Sequence, residues 1–148
     1  MANIPALHQL SNRMQRAMAE ACANNILLPT FVAKRKPAIS IEQYVSKVVN
    51  QSECSEACFI YATVLIERLI AKGVCINEFN VHRITLVLLM EAAKFNDDVF
   101  YDNSSFAVIG GVSNEELNAL ELEFLILMDF DVMVSYEEFD RKYQLCKP

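Results

Sequence analysis

Few residues in this chain could do chemistry, and most lack the company that chemistry needs. His82 is the only histidine in the body of the chain. Catalysis through it would need an adjacent nucleophile and a carboxylate to orient the ring, and no pattern supplies either. It reads as a structural or surface histidine near a helix start. Cys54 and Cys58 are four apart and could share a helix face, but a structural zinc site brings a second ligand pair, which is missing. They read as small, half-buried residues. Asp97, Asp98 and Asp102 fall in a loop without the spacing of a calcium site and read as solvated acids. Three glycines in the whole chain are too few for a phosphate-cradling loop. No catalytic, metal or cofactor site is therefore expected.

Lys94 and Glu121 remain. Lys94 ends a strongly apolar segment, where a helix dipole favours a cation. Glu121 interrupts an apolar surface made by Leu120, Leu122, Phe124 and Leu125. Either the two are surface charges that keep their helices soluble, or they mark a contact site. Spacing does not separate these readings.

The elements that carry them read as helices. Glycine and proline number only 3 and 4, which disfavours a turn-rich sheet domain. Residues 1 to about 28 form an amphipathic pattern with Leu7, Leu10, Met14 and Met18 on a narrow stripe. Pro29 is expected to close that helix, and Pro29 to Pro37 to act as a linker. The helix should dock on the main domain, and its removal should weaken stability or binding without abolishing the fold. Ile41 to Gln51 follows, with Ile41, Tyr44, Val45 and Val48 on one face. Ser55 is expected to cap a helix running to Lys72, stopped by Gly73. Phe59 to Ile66 alone resembles a strand, but the length and the Ile66, Leu69, Ile70 spacing favour helix. Asn80 to Phe95 has almost no polar face, so it should be a central helix covered on every side. A short helix over Ser104 to Gly110 and a turn at Gly110-Gly111 come next. Ser113 with Glu116 suggests a capping box opening a helix to about Asp129, with Leu117, Leu120, Phe124, Leu127 and Met128 inward. Tyr136 to Leu145 is the last. The expected class is all-α, with one buried helix wrapped by its neighbours.

Composition narrows the partners. Apolar residues make up 53% and charged residues 22% of 148, an ordinary globular balance. A net charge of -6 and a pI near 4.9 speak against nucleic acid. Lys34-Arg35-Lys36 beside Pro37 reads as a solvated linker. The longest apolar stretch, Ala57 to Ile66, falls short of the ~20 residues of a membrane helix. The opening Met-Ala-Asn-Ile-Pro lacks the pattern of a signal peptide. Five cysteines, an odd number without a secretory framework, are expected to be free thiols. The expected location is the cytoplasm, the nucleus or both.

Asn80-Val81-His82-Arg83, followed by Ala92-Ala93-Lys94-Phe95 and Asp97-Asp98, resembles the third helix of the cyclin box in Pho-type cyclins. The likeness continues through Tyr101, Asn103, Phe106-Ala107, Gly110-Gly111-Val112-Ser113, Glu116-Leu117-Asn118, Leu120-Glu121, Phe124-Leu125, Phe130, Val134 and Phe139. Upstream, Ile41 to Val49 and Ile66-Glu67-Arg68-Leu69 look like its first two helices. Many dispersed positions agree in order and spacing.

The resemblance implies a single five-helix cyclin box over 37–140 around a buried third helix. An additional N-terminal helix and linker would occupy 1–36, and 141–148 would be a C-terminal end. It implies a non-enzymatic regulatory subunit that binds and activates a cyclin-dependent kinase. By alignment, Lys94 and Glu121 would grip the kinase beside its regulatory helix, with Phe95, Leu125 and Phe130 as apolar contacts. Many cell-cycle cyclins pair an arginine of the first helix with an aspartate of the second. Here Glu67 stands at the second position and Ala38 at the first. Their substrate-docking motif is replaced by Ala38-Ile39-Ser40-Ile41, which puts docking by that groove in doubt. No residue selects among phosphate sensing, glycogen metabolism, other nutrient signalling and the cell cycle. The alternatives are a kinase-independent helical adaptor and an enzyme using His82 or a cysteine.

Overall fold

The computed structural model describes residues 4–20, 26 and 28–146. Seven α-helices lie among them: α1 Ile4–Ala19, α2 Ile41–Ser52, α3 Ala57–Ala71, α4 Val81–Asn96, α5 Asn103–Gly110, α6 Asn114–Leu127 and α7 Tyr136–Cys146. The architecture is the expected all-α one. None of these helices is long and apolar enough to cross a membrane.

α4 is the centre of the molecule. It touches α1, α2, α3, α5 and α6. Its residues from Val81 to Ala93 are buried except Arg83. A helix without a polar stripe has no solvent face to offer, so the others cover it. α3 packs along it, burying Phe59, Leu65, Ile66 and Leu69, so the strand-like run in its middle is helical. Two tyrosines tie the layers together across long stretches of chain. Tyr44 donates its hydroxyl hydrogen to Gly110 O at 2.8 Å, and Tyr61 donates to Val132 O at 2.7 Å.

The N-terminal segment differs from expectation. α1 stops at Ala19, and Pro29 opens a 3-10 turn, Pro29–Phe31, instead of closing a helix. Residues 1–3, 21–25 and 27, which the sequence reading includes in the first helix, lie outside the described residues. The stretch after Pro29 is no free linker: Phe31 is buried, and Ala33 N donates to Phe79 O at 2.7 Å. Proline lacks the N–H an interior helical position needs, yet suits the first turn of a short helix. α1 itself buries Leu10 and Met14 against α2 and α3, with Leu7 and Met18 half-buried beside them.

The helix caps are mixed. Ser113 Oγ accepts from Glu116 N at 3.0 Å as expected, but Glu116 turns its carboxylate to Arg83 of α4, 2.6 Å away. Ser55 does not cap α3 with its side chain; that hydroxyl goes to Asp97 at 2.5 Å. The loop acids serve as structure. Asp97 receives Ser55, and Asp102 caps α5 by accepting from Ser105 N at 2.9 Å. His82 is likewise structural: it is buried, its Nε2 lies 2.7 Å from Ile39 O, and burial lowers its pKa.

The cysteines are a correction. Cys54, Cys58 and Cys146 are free, but Cys75 is disulfide-bonded. Cys22 lies outside the described residues. An odd count rules out complete pairing, but it does not rule out individual bonds.

Gly110 shows how closely α4 and α5 approach. A Cβ there would lie 2.3 Å from Leu86 Cδ2, and Leu86 is wholly buried. Gly110→Ala is therefore expected to cost about 1–3 kcal/mol of stability by overpacking. A urea unfolding curve measures it, and an unchanged midpoint would show that Leu86 moves aside freely.

Candidate functional site

Lys94 and Glu121 meet. Lys94 lies in the last turn of α4 and Glu121 midway along α6, and Lys94 Nζ stands 2.6 Å from Glu121 Oε2. Asn103, at the start of α5, donates from Nδ2 to the other oxygen, Oε1, at 2.9 Å and also reaches Asn118 Oδ1 at 2.8 Å. Three helices thus converge on one carboxylate. Burial pushes the Glu121 carboxyl up, but hydrogen bonds from Glu91, Lys94 and Asn103 outweigh it and leave the pKa below the usual value. The pair is half-shielded, with side-chain exposures of 23% and 17%.

The other expected contact residues sit on the same segments. Phe95 follows Lys94 and is 43% exposed. Leu125 is one turn beyond Glu121 on α6 and packs partly against the core. Phe130 projects after the end of α6, 63% exposed. Asp129 and Phe130 both take left-handed backbone, with φ of 53° and 57°. Such a conformation costs a non-glycine residue ~1–2 kcal/mol. It is held by hydrogen bonds from Asp129 N to Ile126 O at 3.0 Å and from Phe130 N to Leu125 O at 2.8 Å. The Phe130 ring on this turn is left largely open to solvent. Phe100, in the α4–α5 connection, and Leu122, beside Glu121, add further exposed apolar surface.

Sequence reasoning missed one member of this constellation and one ion pair between α1 and α3. The first is Glu91, one turn before Lys94 on α4 and 1% exposed. Burial is the main cause that raises its pKa, to about 9, and the neighbouring Glu121 adds to it. A carboxyl among Leu88, Leu89, Met90, Ala92 and Ala93 is the available signal, because a helix covered all round leaves no water for it. The second is that of Glu67. Arg13 of α1 hydrogen-bonds Glu67 of α3 and pairs with Glu20 at 2.7 Å. The glutamate left without an arginine from its neighbouring helix is served by the helix before it.

With this geometry in view, comparison with known proteins is direct. A family model for cyclins matches residues 3–132. Cyclin-U1-1 of Arabidopsis thaliana is 44% identical over 115 residues, covering 76% of this chain and 55% of that protein. Cyclin-P3-1 of Oryza sativa is 38% identical over 110 residues, covering 74% and 47%. The PHO85 cyclin-like protein psl1 of Schizosaccharomyces pombe is 36% identical over 111 residues, covering 73% and 46%. The chain spans about half the length of these curated relatives. The match to the family model takes in α1 to α6, including the segments that bring Lys94 and Glu121 together, and the chain belongs to the cyclin family, on its Pho-type branch.

Proposed function

We propose that this chain is the regulatory subunit of a cyclin-dependent protein kinase, binding the kinase beside its regulatory helix and favouring the active state. The observation that carries the reading is the Lys94–Glu121 pair, ordered by three helices and carried on segments that also expose Phe95, Phe100, Leu122 and Phe130. A solubilising surface ion pair has no need of exposed aromatic rings close by along the chain. An interface does, since buried rings supply area and a shielded charged pair supplies specificity. Lys94 spends one donor on Glu121 and keeps others for a partner.

The mechanism follows from what phosphoryl transfer requires. The kinase's own lysine must pair with a glutamate on its regulatory helix, with metal-bound nucleotide in register. A subunit that packs on that helix activates to the extent that it binds the inward state better. A hundredfold preference supplies ~2.7 kcal/mol. No catalytic group need come from this chain.

Co-purification with identification of the captured protein, followed by a phosphorylation assay on the reconstituted pair, tests the proposal. A cyclin-dependent kinase should be captured, and its activity should rise with added chain. A kinase that binds without a change in activity would remove the activation step. Failure to bind any such kinase would leave the chain an adaptor of another kind.

A further inference from the structure

We propose that Glu91 is a positioning residue for the Lys94–Glu121 site: a neutral carboxylic acid that donates its hydrogen to Glu121 and keeps that carboxylate aimed at Lys94 and Asn103. As far as it concerns kinase affinity, this rests on the function proposed above; the protonation itself does not.

The argument is one of available donors. Glu91 is buried in the central helix, and its Oε1 has no hydrogen-bond partner. Its neighbours in the cluster are Glu121 and Lys94, and Glu121 already holds Lys94 at 2.6 Å and Asn103 at 2.9 Å. Two carboxylates in contact cannot both stay charged at low cost. The negative charge belongs where the cation and the amide are, so it rests on Glu121 and the proton rests on Glu91. The titratable groups facing Glu91 agree with this. Glu121 on α6 opposes its ionisation, Tyr61 on α3 keeps its own hydrogen on Val132 O, and Lys94 on α4 favours ionisation but is engaged with Glu121. Burial raises the pKa of Glu91 accordingly.

The arrangement makes the cluster neutral overall, one lysine against one carboxylate. Glu91 also supplies Glu121 with a third hydrogen bond, beside those of Lys94 and Asn103. Without that bond Glu121 is held by Lys94 and Asn103 alone, and its carboxylate is less firmly fixed against Lys94. Were Glu91 to ionise, a second negative charge would compete for Lys94 and draw it inward, away from a partner protein.

The sign of the pH dependence follows. A carboxyl whose folded-state pKa is raised stabilises the fold below its unfolded value, and that contribution is lost as pH climbs toward the folded value of about 9. The native chain holds one more proton than the unfolded chain in that window. Glu91→Gln keeps shape and a hydrogen donor but cannot ionise. The stability of this variant relative to the native chain should therefore grow about tenfold in folding constant per pH unit from 6 to 8.

The experiment uses the free chain first. Carboxyl NMR titration should find Glu91 protonated at neutral pH and Glu121 titrating below its usual range. In Glu91→Leu, Glu121 should titrate higher; in Glu91→Gln it should stay low. Kinase affinity should then fall about tenfold or more in Glu91→Leu and return to within threefold of native in Glu91→Gln. An ordinary pKa for Glu91, or a Glu121 titration unmoved by Glu91→Leu, would overturn the proposal whatever the kinase does. Absence of kinase binding in the native chain would instead refute the kinase reading, with the titrations still deciding the role of Glu91.

Discussion

Lys94→Ala or Glu121→Ala is expected to lower kinase affinity by about thirtyfold to several thousandfold, equivalent to ~2–5 kcal/mol. The magnitude comes from what each truncation strands. In a closed interface, the groups on the kinase that faced the lysine or the carboxylate stay buried without a partner. A surface ion pair would matter by less than ~0.5 kcal/mol. The two outcomes are far enough apart for one titration series to choose between them. The structure adds a distinction between the variants. Removing Lys94 leaves Glu121 with Asn103 and Glu91, whereas removing Glu121 takes the acceptor from all three of its neighbours. Glu121→Ala should therefore lower the melting temperature of the free chain more than Lys94→Ala does. Lys94→Ala is the cleaner test, and near-native affinity in it would sink the assignment of this site.

The second large effect is expected in the N-terminal helix. Leu10→Ala and Met14→Ala should each cost ~2–5 kcal/mol, because both side chains are wholly buried among α2 and α3. Against a total stability of ~5–15 kcal/mol, the double variant should lose a large part of its stability. Leu7 and Met18 are only partly buried, and their alanine variants should cost clearly less. Far-UV circular dichroism with urea unfolding measures all four. If the Leu10/Met14 double variant keeps a native midpoint, α1 is an accessory that the core does without. On the packing seen here, deletion of this segment would expose to water the apolar surface of α2 and α3 that Leu10 and Met14 cover. The sequence pattern by itself implies a weakening of stability or binding with the fold kept.

Much of the fold was legible because helices are written locally. The apolar spacing of Ile41 to Val48, the serine at 113 and the absence of a polar face from Val81 to Ala93 depend on neighbours three and four residues apart. Those signals placed α2, α4 and α6 to within a residue or two. The family likeness then singled out Lys94 and Glu121, which spacing alone left undecided.

What the sequence by itself determined is the all-α class, the central position of one helix, and the kind of residue available for contact. Tertiary structure alone decided which charges meet. Lys94 finds Glu121 across 27 residues, and Arg13 finds Glu67 across 54. It also turned Ser55 from a helix cap into a partner of Asp97, and made Phe31 part of the core instead of a linker. Most of all it gave Glu91 its character. A carboxyl's proton affinity depends on the water removed from it and on the charges brought near it. Both are set by chain segments distant in sequence, and only the folded chain brings them to one place.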